Sequence, residues 1–418
     1  MTDPVETNEG SESPGPAPLE PRDGVPAVIE TQDAFDAFCE RLAAGQGPVA
    51  IDAERASGYR YSQRAYLIQI RREGAGTALI DPIAIEDLAP LQGALADAEW
   101  ILHAATQDLP CLAEVGLTPS SLFDTELAGR LLGRERVGLA PLVLGELGAV
   151  IEKGHGATDW SMRPLTAAQL RYAALDVELL IELRDALAQA LMLAGKEEIA
   201  RQEFAALLSF EPRPRTADEW RRTSGLHKVR KPHALAVVRE LWRARDELAR
   251  ERDVAVGRLL PDSSIIVAAT SDVRSKEDLR SLSGFHGRGA HRYLSRWWDA
   301  IAQARALPDA ECPSPAPRSE GPPPARAWAE RDPVAHARLS AARTGLAETA
   351  DHWGMPVENL LTPETVRRLC WSPPDPADEA TVAAILVSQG ARSWQVEACL
   401  PVLLTAMAIE DAPEVTDE

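Results

Sequence analysis

Hydrophobic and polar positions follow two different periods along this chain. Between residues 48 and 82, the short apolar runs "PVAID", "YLIQI" and "TALID" are separated by charged or Gly-rich turns, which is typical of β-strands. Beyond them apolar residues recur at helical spacing, and "EWILHA" predicts one further short strand. The first domain, residues 26–215, is therefore expected to be α/β.

The rest of the chain is expected to form two small all-α domains. Residues 221–303 and 329–409 have apolar positions at helical spacing and few strand signals, and they flank a Pro-rich linker at 304–328. The segment "ARDELARERDVAVGRLLPD" in the first aligns weakly with "ARTGLAETADHWGMPVENLLTPE" in the second. This similarity predicts a duplicated helical module.

Charge is distributed unevenly over the 418 residues. The net charge is −20, yet residues 221–300 carry 17 Lys and Arg against 10 Asp and Glu, a local charge of +7. A basic segment inside an acidic chain predicts contact with nucleic acid. Acidic residues concentrate at 1–25 and 410–418, which we expect to be disordered tails.

Neither a membrane nor a secretory pathway is indicated by the sequence. It contains no run of 18 or more apolar residues, and its first 25 residues are acidic and Pro-rich where a secretory signal is basic and then apolar. We therefore expect a cytoplasmic protein with no membrane partner. No feature of the sequence indicates an obligate protein partner.

Three segments place carboxylates beside apolar stretches. In "VAIDAE", Asp52 and Glu54 project from the same face because side chains alternate along a strand. Asp108 follows the apolar segment "WILHAA" at the start of a predicted helix. Tyr172 and Asp176 lie one turn apart on a helix that begins with the capping box "TAAQ".

Each of these carboxylates also has an ordinary structural interpretation. The pair on the strand is compatible with a strand that ends in solvent, Asp108 with a helix N-cap, and Asp176 with an exposed position on a capped surface helix. Taken together, however, four carboxylates on one strand and two helices are the set that two divalent cations require. Mg²⁺ and Mn²⁺ prefer oxygen ligands, and two such ions stabilise both oxygens of a phosphoryl displacement.

The set resembles the three exonuclease motifs of the DEDD superfamily, in its tyrosine-containing branch. The surrounding segments "YSQRAYLIQI", "HAATQDL" and "FDTELAGRLLG" are similar to that family, and "KGHGATDWSMRPLTAAQLRYAALDV" resembles the ribonuclease D signature. Residues 221–303 resemble an HRDC domain, and 329–409 resemble a second, more diverged copy. The resemblance implies a ribonuclease H-like mixed sheet flanked by helices, followed by two HRDC-like domains.

The resemblance also implies a role for each candidate residue. Asp52 would bridge two ions, Mg²⁺ or Mn²⁺, while Glu54 and Asp176 would hold the ion that activates water. Asp108 would support the second ion, partly through water. Tyr172 would orient the attacking water or help to deprotonate it, although a packed amphipathic tyrosine is the alternative.

Further residues are expected to contact nucleic acid because they lie in a Gly-rich loop, in the cluster of bases and histidines "LHKVRKPH", or where Gly-rich backbone, arginines and aromatic residues occur together in "SGFHGRGAHRYLSRWW". In each case the alternative is an ordinary solvated loop or helix surface. The residues are Lys153, His155, Lys228, Arg230, Lys231, Arg288 and Arg292.

The function implied is a two-metal 3′–5′ exoribonuclease that releases nucleoside 5′-monophosphates, with tRNA precursors or other structured RNA as substrate. A 3′–5′ DNA exonuclease is one alternative, because sugar selection depends on the shape of the pocket. A non-catalytic nucleic-acid-binding scaffold is another. Retention of all four carboxylates and Tyr172 favours an enzyme over a scaffold.

Overall fold

A computed structural model describes residues 19–152, 154, 158–315 and 321–411. Its first domain is built on one six-stranded sheet. The strands are β1 (Val28–Ile29), β2 (Gln46–Arg55), β3 (Ala65–Glu73), β4 (Gly76–Ile80), β5 (Glu99–Leu102) and β6 (Ser121–Asp124).

The sheet is mixed, with the order β1-β4-β3-β2-β5-β6. Strands β2, β3 and β4 pair antiparallel as a meander, whereas β1 pairs parallel to β4, and β5 and β6 continue parallel from β2. Strand β2 therefore lies inside the sheet, with a neighbour on each side. The strands predicted near residues 48–82 and at "EWILHA" are all present, while β1 and β6 were not predicted.

Eight helices accompany the sheet in the described part of the first domain. They are α1 (Gln32–Ala44), α2 (Ala89–Leu95), α3 (Leu109–Glu114), α4 (Thr125–Leu131), α5 (Leu139–Leu147), α6 (Ala167–Glu178), α7 (Leu180–Leu193) and α8 (Glu197–Leu207). Apolar side chains of these helices and of the strands form the main hydrophobic core. The expected α/β domain with a mixed sheet flanked by helices is confirmed.

The remainder of the described chain is helical, as expected. The helices of the middle region are α9 (Pro232–Arg252), α10 (Val256–Leu259), α11 (Asp262–Thr270), α12 (Lys276–Ser281), α13 (Arg288–Arg292) and α14 (Leu294–Ala306). Those of the C-terminal region are α15 (Trp328–Arg331), α16 (Pro333–Trp353), α17 (Pro363–Trp371), α18 (Glu379–Ser388) and α19 (Ser393–Met407). Among the described residues, no helix combines the length and the apolar character needed to cross a bilayer.

The two helical regions share a pattern of helix lengths. Helices α9 and α16 each have 21 residues and begin with proline, and α11 and α17 each have 9 residues. Both long helices end at a residue in the left-handed conformation, Asp253 in the first and Gly354 in the second. The two regions share these helix lengths, and the duplicated module that the sequence suggested stays a prediction.

The C-terminal region packs directly against the first domain. Glu203 of α8 is buried and accepts a hydrogen bond of 2.7 Å from the indole nitrogen of Trp394, and it also forms an ion pair with Arg392. The ammonium group of Lys196 donates to the carbonyl oxygens of Leu131 and Gly354 at 2.5 and 3.3 Å. Apolar residues of both regions consequently belong to one continuous hydrophobic cluster.

The part of the expected N-terminal tail that the structure describes lies against the first domain. The Leu19 amide donates to the carbonyl oxygen of Val150 at 2.8 Å, and the Arg22 guanidinium forms a 2.5 Å ion pair with Glu178, which is fully buried. The expectation of a disordered tail through residue 25 therefore does not describe Leu19–Val25, because these residues neutralise a buried carboxylate. Residues 1–18 of the expected tail lie outside the described residues.

The end of the expected linker also belongs to a packed unit. Trp328, the last residue of the segment 304–328, is fully buried and begins α15. Its ring centroid lies 4.9 Å from that of Trp371, and the Arg367 guanidinium donates to the carbonyl oxygen of Pro323 at 2.8 Å. The C-terminal region therefore begins before residue 329, because aromatic packing and hydrogen bonds tie these residues to α17.

Candidate active site

Strand β2 carries Asp52 and Glu54 toward one face of the sheet. Asp52 is registered against Gln69 of β3, and Glu54 against Leu67. Side chains of directly opposed residues share a face, and Leu67 belongs to a small apolar cluster that includes Ala173 of α6. The two carboxylates therefore project from the face that α6 covers, as the strand alternation predicted.

Helix α6 brings Tyr172 and Asp176 to the same place. It begins at the predicted capping box, in which the Thr166 side chain accepts from the Gln169 amide and the Gln169 side chain accepts from the Thr166 amide. Ala173 is fully buried, and its small side chain lets the helix approach the sheet closely. Because Tyr172 and Asp176 are one turn apart, both face the end of β2.

Asp108 is positioned by a turn that Asp124 holds. The turn after β5 places Ala104 in the left-handed region, with φ of 61°, and leads through a short 3-10 helix to Asp108. The buried Asp124 carboxylate accepts from the backbone amides of Ala104 and Ala105 at 3.1 and 2.8 Å. It also caps α4 through the amides of Glu126 and Leu127, so it joins two elements.

All five predicted catalytic residues line one cleft of about 410 Å³. The carboxylates of Asp52, Glu54 and Asp176 each offer an oxygen within 4.8 Å of the others. Asp108 lines the same cleft but does not belong to this group of three. Three converging carboxylates with a fourth at a greater distance fit the unequal roles that the family resemblance implied for these four residues.

Burial raises the pKa of all four carboxylic acids, and the charges of neighbouring carboxylates add to this effect for Glu54, Asp108 and Asp176. Burial raises the pKa of Asp52 to about 6. Burial, followed by the charges of Asp52, Asp176 and Asp108, raises the pKa of Glu54 to about 10. Burial and the charge of Asp52 raise the pKa values of Asp108 and Asp176 well above their ordinary range. The positive charge of Arg55 lowers the pKa values of Asp52, Glu54 and Asp108, but it offsets the increase only in part.

This cluster fits a divalent cation. Buried carboxylates that repel one another are costly unless a positive charge compensates them, and Arg55 supplies one charge for four acids. The donor set consists of oxygen atoms, which suits hard ions such as Mg²⁺ and Mn²⁺. Asp52, Glu54 and Asp176 are the residues that would hold one ion, and Asp108 extends the set toward a second.

Tyr172 lies between the acidic cluster and a packed aromatic residue. Its phenol group forms a hydrogen bond with Asp176, and its ring centroid lies 6.3 Å from that of the fully buried Trp160. Burial and the charges of Asp176, Glu54 and Asp52 raise the pKa of Tyr172 above its ordinary value. The phenol therefore keeps its proton at neutral pH and serves as a donor in the cleft.

Two functional residues were not predicted as such from the sequence. Asp124 orients the turn that carries Asp108, and its position in "FDTE", directly before a helix, was the available signal. Arg55 is a cation that lines the cleft, and it follows Glu54 directly. His103 also lines the cleft, but burial lowers its pKa to about 4, so the ring is neutral and contacts Thr125 at 2.9 Å.

The predicted nucleic-acid contacts divide into two groups. Lys153 and His155 lie outside the described residues. The others are exposed, and in the part of the chain that the structure describes none of them forms an ion pair with a carboxylate; they are Lys228, Arg230, Lys231, Arg288 and Arg292. Neighbouring arginines such as Arg274 and Arg296 are, by contrast, paired with acids.

The middle helical region contacts the loop that follows Glu54. The Ala255 amide donates to the carbonyl oxygen of Tyr59 at 3.0 Å, and the Arg258 guanidinium donates to the carbonyl oxygen of Gly58 at 2.9 Å. Gly58 and Tyr59 also line the catalytic cleft. This region therefore forms part of the surroundings of the active site.

Comparison with known proteins agrees with this geometry. Residues 26–192 match a family model described as 3′-5′ exonuclease, residues 234–301 match the HRDC domain, and residues 321–407 match a model described as 3′ to 5′ exonuclease C-terminal domain. Ribonuclease D of Acidiphilium cryptum is 35% identical over 311 residues, which cover 71% of this chain and 77% of the relative. The chain belongs to the ribonuclease D family. Ribonuclease D of Escherichia coli is 31% identical over 69% of this chain and 77% of its own length.

Solved structures extend the comparison to the whole ribonuclease D architecture. A protein from Bifidobacterium adolescentis is 40% identical and superposes with a TM-score of 0.86 over 94% of this chain and 99% of its own. The Escherichia coli RNase D structure superposes with a TM-score of 0.64 over 88% of this chain, and at 24% identity this likeness concerns the fold. The chain is thus a 3′–5′ exonuclease of the ribonuclease D family, with an HRDC domain and a further helical region.

Proposed function

We propose that this enzyme removes nucleoside 5′-monophosphates from RNA 3′ ends with the help of two divalent cations, in the cytoplasm. The observation that carries the proposal is the convergence of Asp52, Glu54, Asp108, Tyr172 and Asp176 in one cleft. The carboxylates come from β2, α6 and the turn before α3, so only the tertiary fold brings them together. None of these elements needs the other carboxylates for its own local structure. A set of buried acids is costly to maintain without a ligand.

Each of these residues has a defined role in the proposed reaction. Asp52, Glu54 and Asp176 would hold one ion and Asp52 with Asp108 the second. When bound, such ions lower the pKa of the attacking water and neutralise charge on the leaving oxygen. Tyr172 donates its hydrogen bond within the cleft and orients the nucleophile, because its raised pKa keeps the phenol protonated.

RNA is the substrate we favour, with tRNA precursors or other structured RNA as its source. The relatives from Acidiphilium cryptum and Escherichia coli are ribonucleases D, and the solved Escherichia coli RNase D is described as an exoribonuclease involved in structured RNA processing. Five exposed cations in and directly before the matched HRDC domain form no ion pair with a carboxylate among the described residues, and such cations suit a phosphate backbone. DNA remains the alternative substrate, because the carboxylates and their ions would act on the phosphate group, which RNA and DNA share.

One incubation tests the proposal and its alternatives. Purified protein is mixed with RNA and DNA oligonucleotides labelled at the 5′ end, in Mg²⁺, Mn²⁺ or EDTA, and the products are resolved to single nucleotides. We expect a ladder that shortens from the 3′ end of RNA, that requires metal and that is lost in Asp52→Asn. A ladder on DNA alone would establish the DNA alternative, and intact substrate with wild-type protein would establish the scaffold.

A further inference from the structure

A second cleft adjoins the catalytic cleft at the boundary with the HRDC domain. Its volume is about 710 Å³, and it lies between the loop at residues 57–63 and the HRDC helices α9 and α10. Ser57 and Gly58 line both clefts, so the two spaces meet at this loop. A strand whose 3′ end occupies the catalytic cleft would have its preceding nucleotides beside the second one.

Aromatic rings form one wall of this second cleft. Tyr61 of the loop and Trp242 of α9 both line it. The guanidinium carbon of Arg215 lies 5.5 Å from the centroid of the Tyr61 ring and 5.9 Å from that of Trp242. The planar guanidinium of Arg215 lies near both rings, so the rings accept a flat group on the side that lines the cleft. A nucleobase is such a group, and it stacks on aromatic side chains irrespective of sequence.

Positive charge predominates along the same cleft. Its lining includes the guanidinium groups of Arg60, Arg215 and Arg258. Arg245 is also present but is committed to an ion pair with Asp262 at 2.7 Å. Arg215 forms an ion pair with Asp246 at 2.6 Å, and 55% of its side chain is exposed to solvent. Guanidinium groups beside aromatic rings are a combination that binds single-stranded nucleic acid.

The two walls are held together by specific contacts. The Ser62 amide donates to the Asp253 carboxylate at 2.8 Å, and the Tyr61 hydroxyl donates to Asp246 at 3.0 Å. These bonds join the exonuclease loop to α9 and its C-terminal end. The cleft therefore has a defined width in the folded protein and is more than a gap between two independent domains.

We propose that this cleft binds the nucleotides that precede the 3′ end of a single-stranded nucleic acid, with a base stacked on Trp242 and Tyr61 and a phosphate near Arg215. The inference rests on the proposed function, because it assumes a strand whose 3′ end enters the catalytic cleft. The HRDC domain then contributes to the substrate path beside the active site, in addition to its exposed cations.

Substrate length provides the test. Rates of nucleotide release are measured for oligouridylates of two to eight nucleotides, and the ratio of kcat/KM for the octamer to that for the dimer is compared between variants. Wild-type protein should favour the octamer. Trp242→Ala should reduce this ratio about 5- to 150-fold, the range for loss of one stacked base. Trp242→Phe, which keeps a ring, should restore most of it.

A matched control separates binding from folding. Trp298 is a partly buried tryptophan of the same domain that packs on the HRDC core and lies outside the cleft. Trp298→Ala should retain the wild-type ratio. An unchanged ratio in Trp242→Ala, or an equal fall in Trp298→Ala, would overturn the proposal.

Binding without catalysis distinguishes failure of this inference from failure of the proposed function. Fluorescence anisotropy of labelled octauridylate and octathymidylate is measured in EDTA, where no cleavage occurs. A loss of affinity in Trp242→Ala with either strand supports the cleft, even if wild-type protein releases no nucleotides. Equal affinity of wild type and Trp242→Ala for both strands would overturn the cleft while leaving the exonuclease proposal intact.

Discussion

We predict that Asp253 couples the HRDC domain to the catalytic loop. Its carboxylate accepts the Ser62 amide at 2.8 Å, and it lies 3.4 Å from the Tyr66 hydroxyl and 4.0 Å from the Arg64 guanidinium. Ser62 lies in the loop that joins β2 to β3 and that follows Glu54 closely in sequence. Loss of this contact should loosen the loop beside the active site without removing any predicted metal ligand.

The backbone at Asp253 indicates that the side chain is needed there. Its φ is 46°, in the left-handed region that glycine adopts most easily. The corresponding end of α16 has Gly354, with φ of 54°. In the first helical module an aspartate occupies this conformation, and the hydrogen bond from the Ser62 amide offsets the conformational free energy that a residue with a side chain pays there. Aspartate and asparagine tolerate it better than other residues with a side chain.

The magnitude follows from these contacts. A hydrogen bond to a charged acceptor contributes about 1.5–3 kcal/mol, and we take the lower end because the side chain is 34% exposed. Alanine in the left-handed region costs about 1 kcal/mol more. Asp253→Ala should therefore destabilise the docked loop by about 2.5 kcal/mol, Asp253→Gly by about 1.5 kcal/mol, and Asp253→Asn, which keeps an acceptor, by less than about 1 kcal/mol.

Hydrogen exchange of the Ser62 amide measures this local stability, which is preferable to global unfolding in a chain with several domains. Exchange should accelerate about tenfold in Asp253→Gly and more in Asp253→Ala. Asp272→Ala removes an exposed acid from the same domain, which pairs with Arg274, and should leave Ser62 unaffected. Nucleotide release from a dinucleotide should fall in the same order as the exchange rises.

The pH dependence of this contact has a definite sign. Partial burial alone would raise the pKa of Asp253, but the hydrogen bonds from Ser62, the charge of Arg64 and the hydrogen bond from Tyr66 together outweigh burial and hold the pKa below its ordinary value. The stabilisation is therefore fully present above about pH 4 and is lost as the pH falls through the lower folded pKa. Equal Ser62 exchange in Asp253→Ala and Asp272→Ala would refute the coupling.

Three further predictions concern the catalytic and RNA-binding residues. Asp176→Asn should abolish nucleotide release yet raise the melting temperature in EDTA by about 2–4 °C, because it relieves repulsion among buried acids, and a lower melting temperature would contradict this. Tyr172→Phe should lower the single-turnover rate about 10²-fold with unchanged Mg²⁺ affinity by calorimetry, whereas an unaltered rate would assign the ring to packing. Replacing Arg288 and Arg292 together by Gln should reduce the slope of log affinity against log salt by about 1.4 for single-stranded RNA. Arg274→Gln should leave this slope unchanged, because Arg274 is already paired with an acid.

Local patterns in the sequence determined most of the catalytic set. The alternation of β2 placed Asp52 and Glu54 on one face, and the capping box fixed the start of α6, so Tyr172 and Asp176 had to lie one turn apart. Such inferences succeed because strand and helix periods act over a few residues. The uneven charge likewise indicated the basic helical domain before any contact was known.

Only the tertiary structure decided how these pieces meet. Strand β6 has four residues, and its last residue, Asp124, also caps α4, so no periodic signal marked it as the anchor for the turn before Asp108. The bond between Asp253 and Ser62 joins residues 191 positions apart. Contacts of this kind depend on domain packing, which is decided by the burial of surfaces that are distant in sequence, and therefore no local pattern announces them.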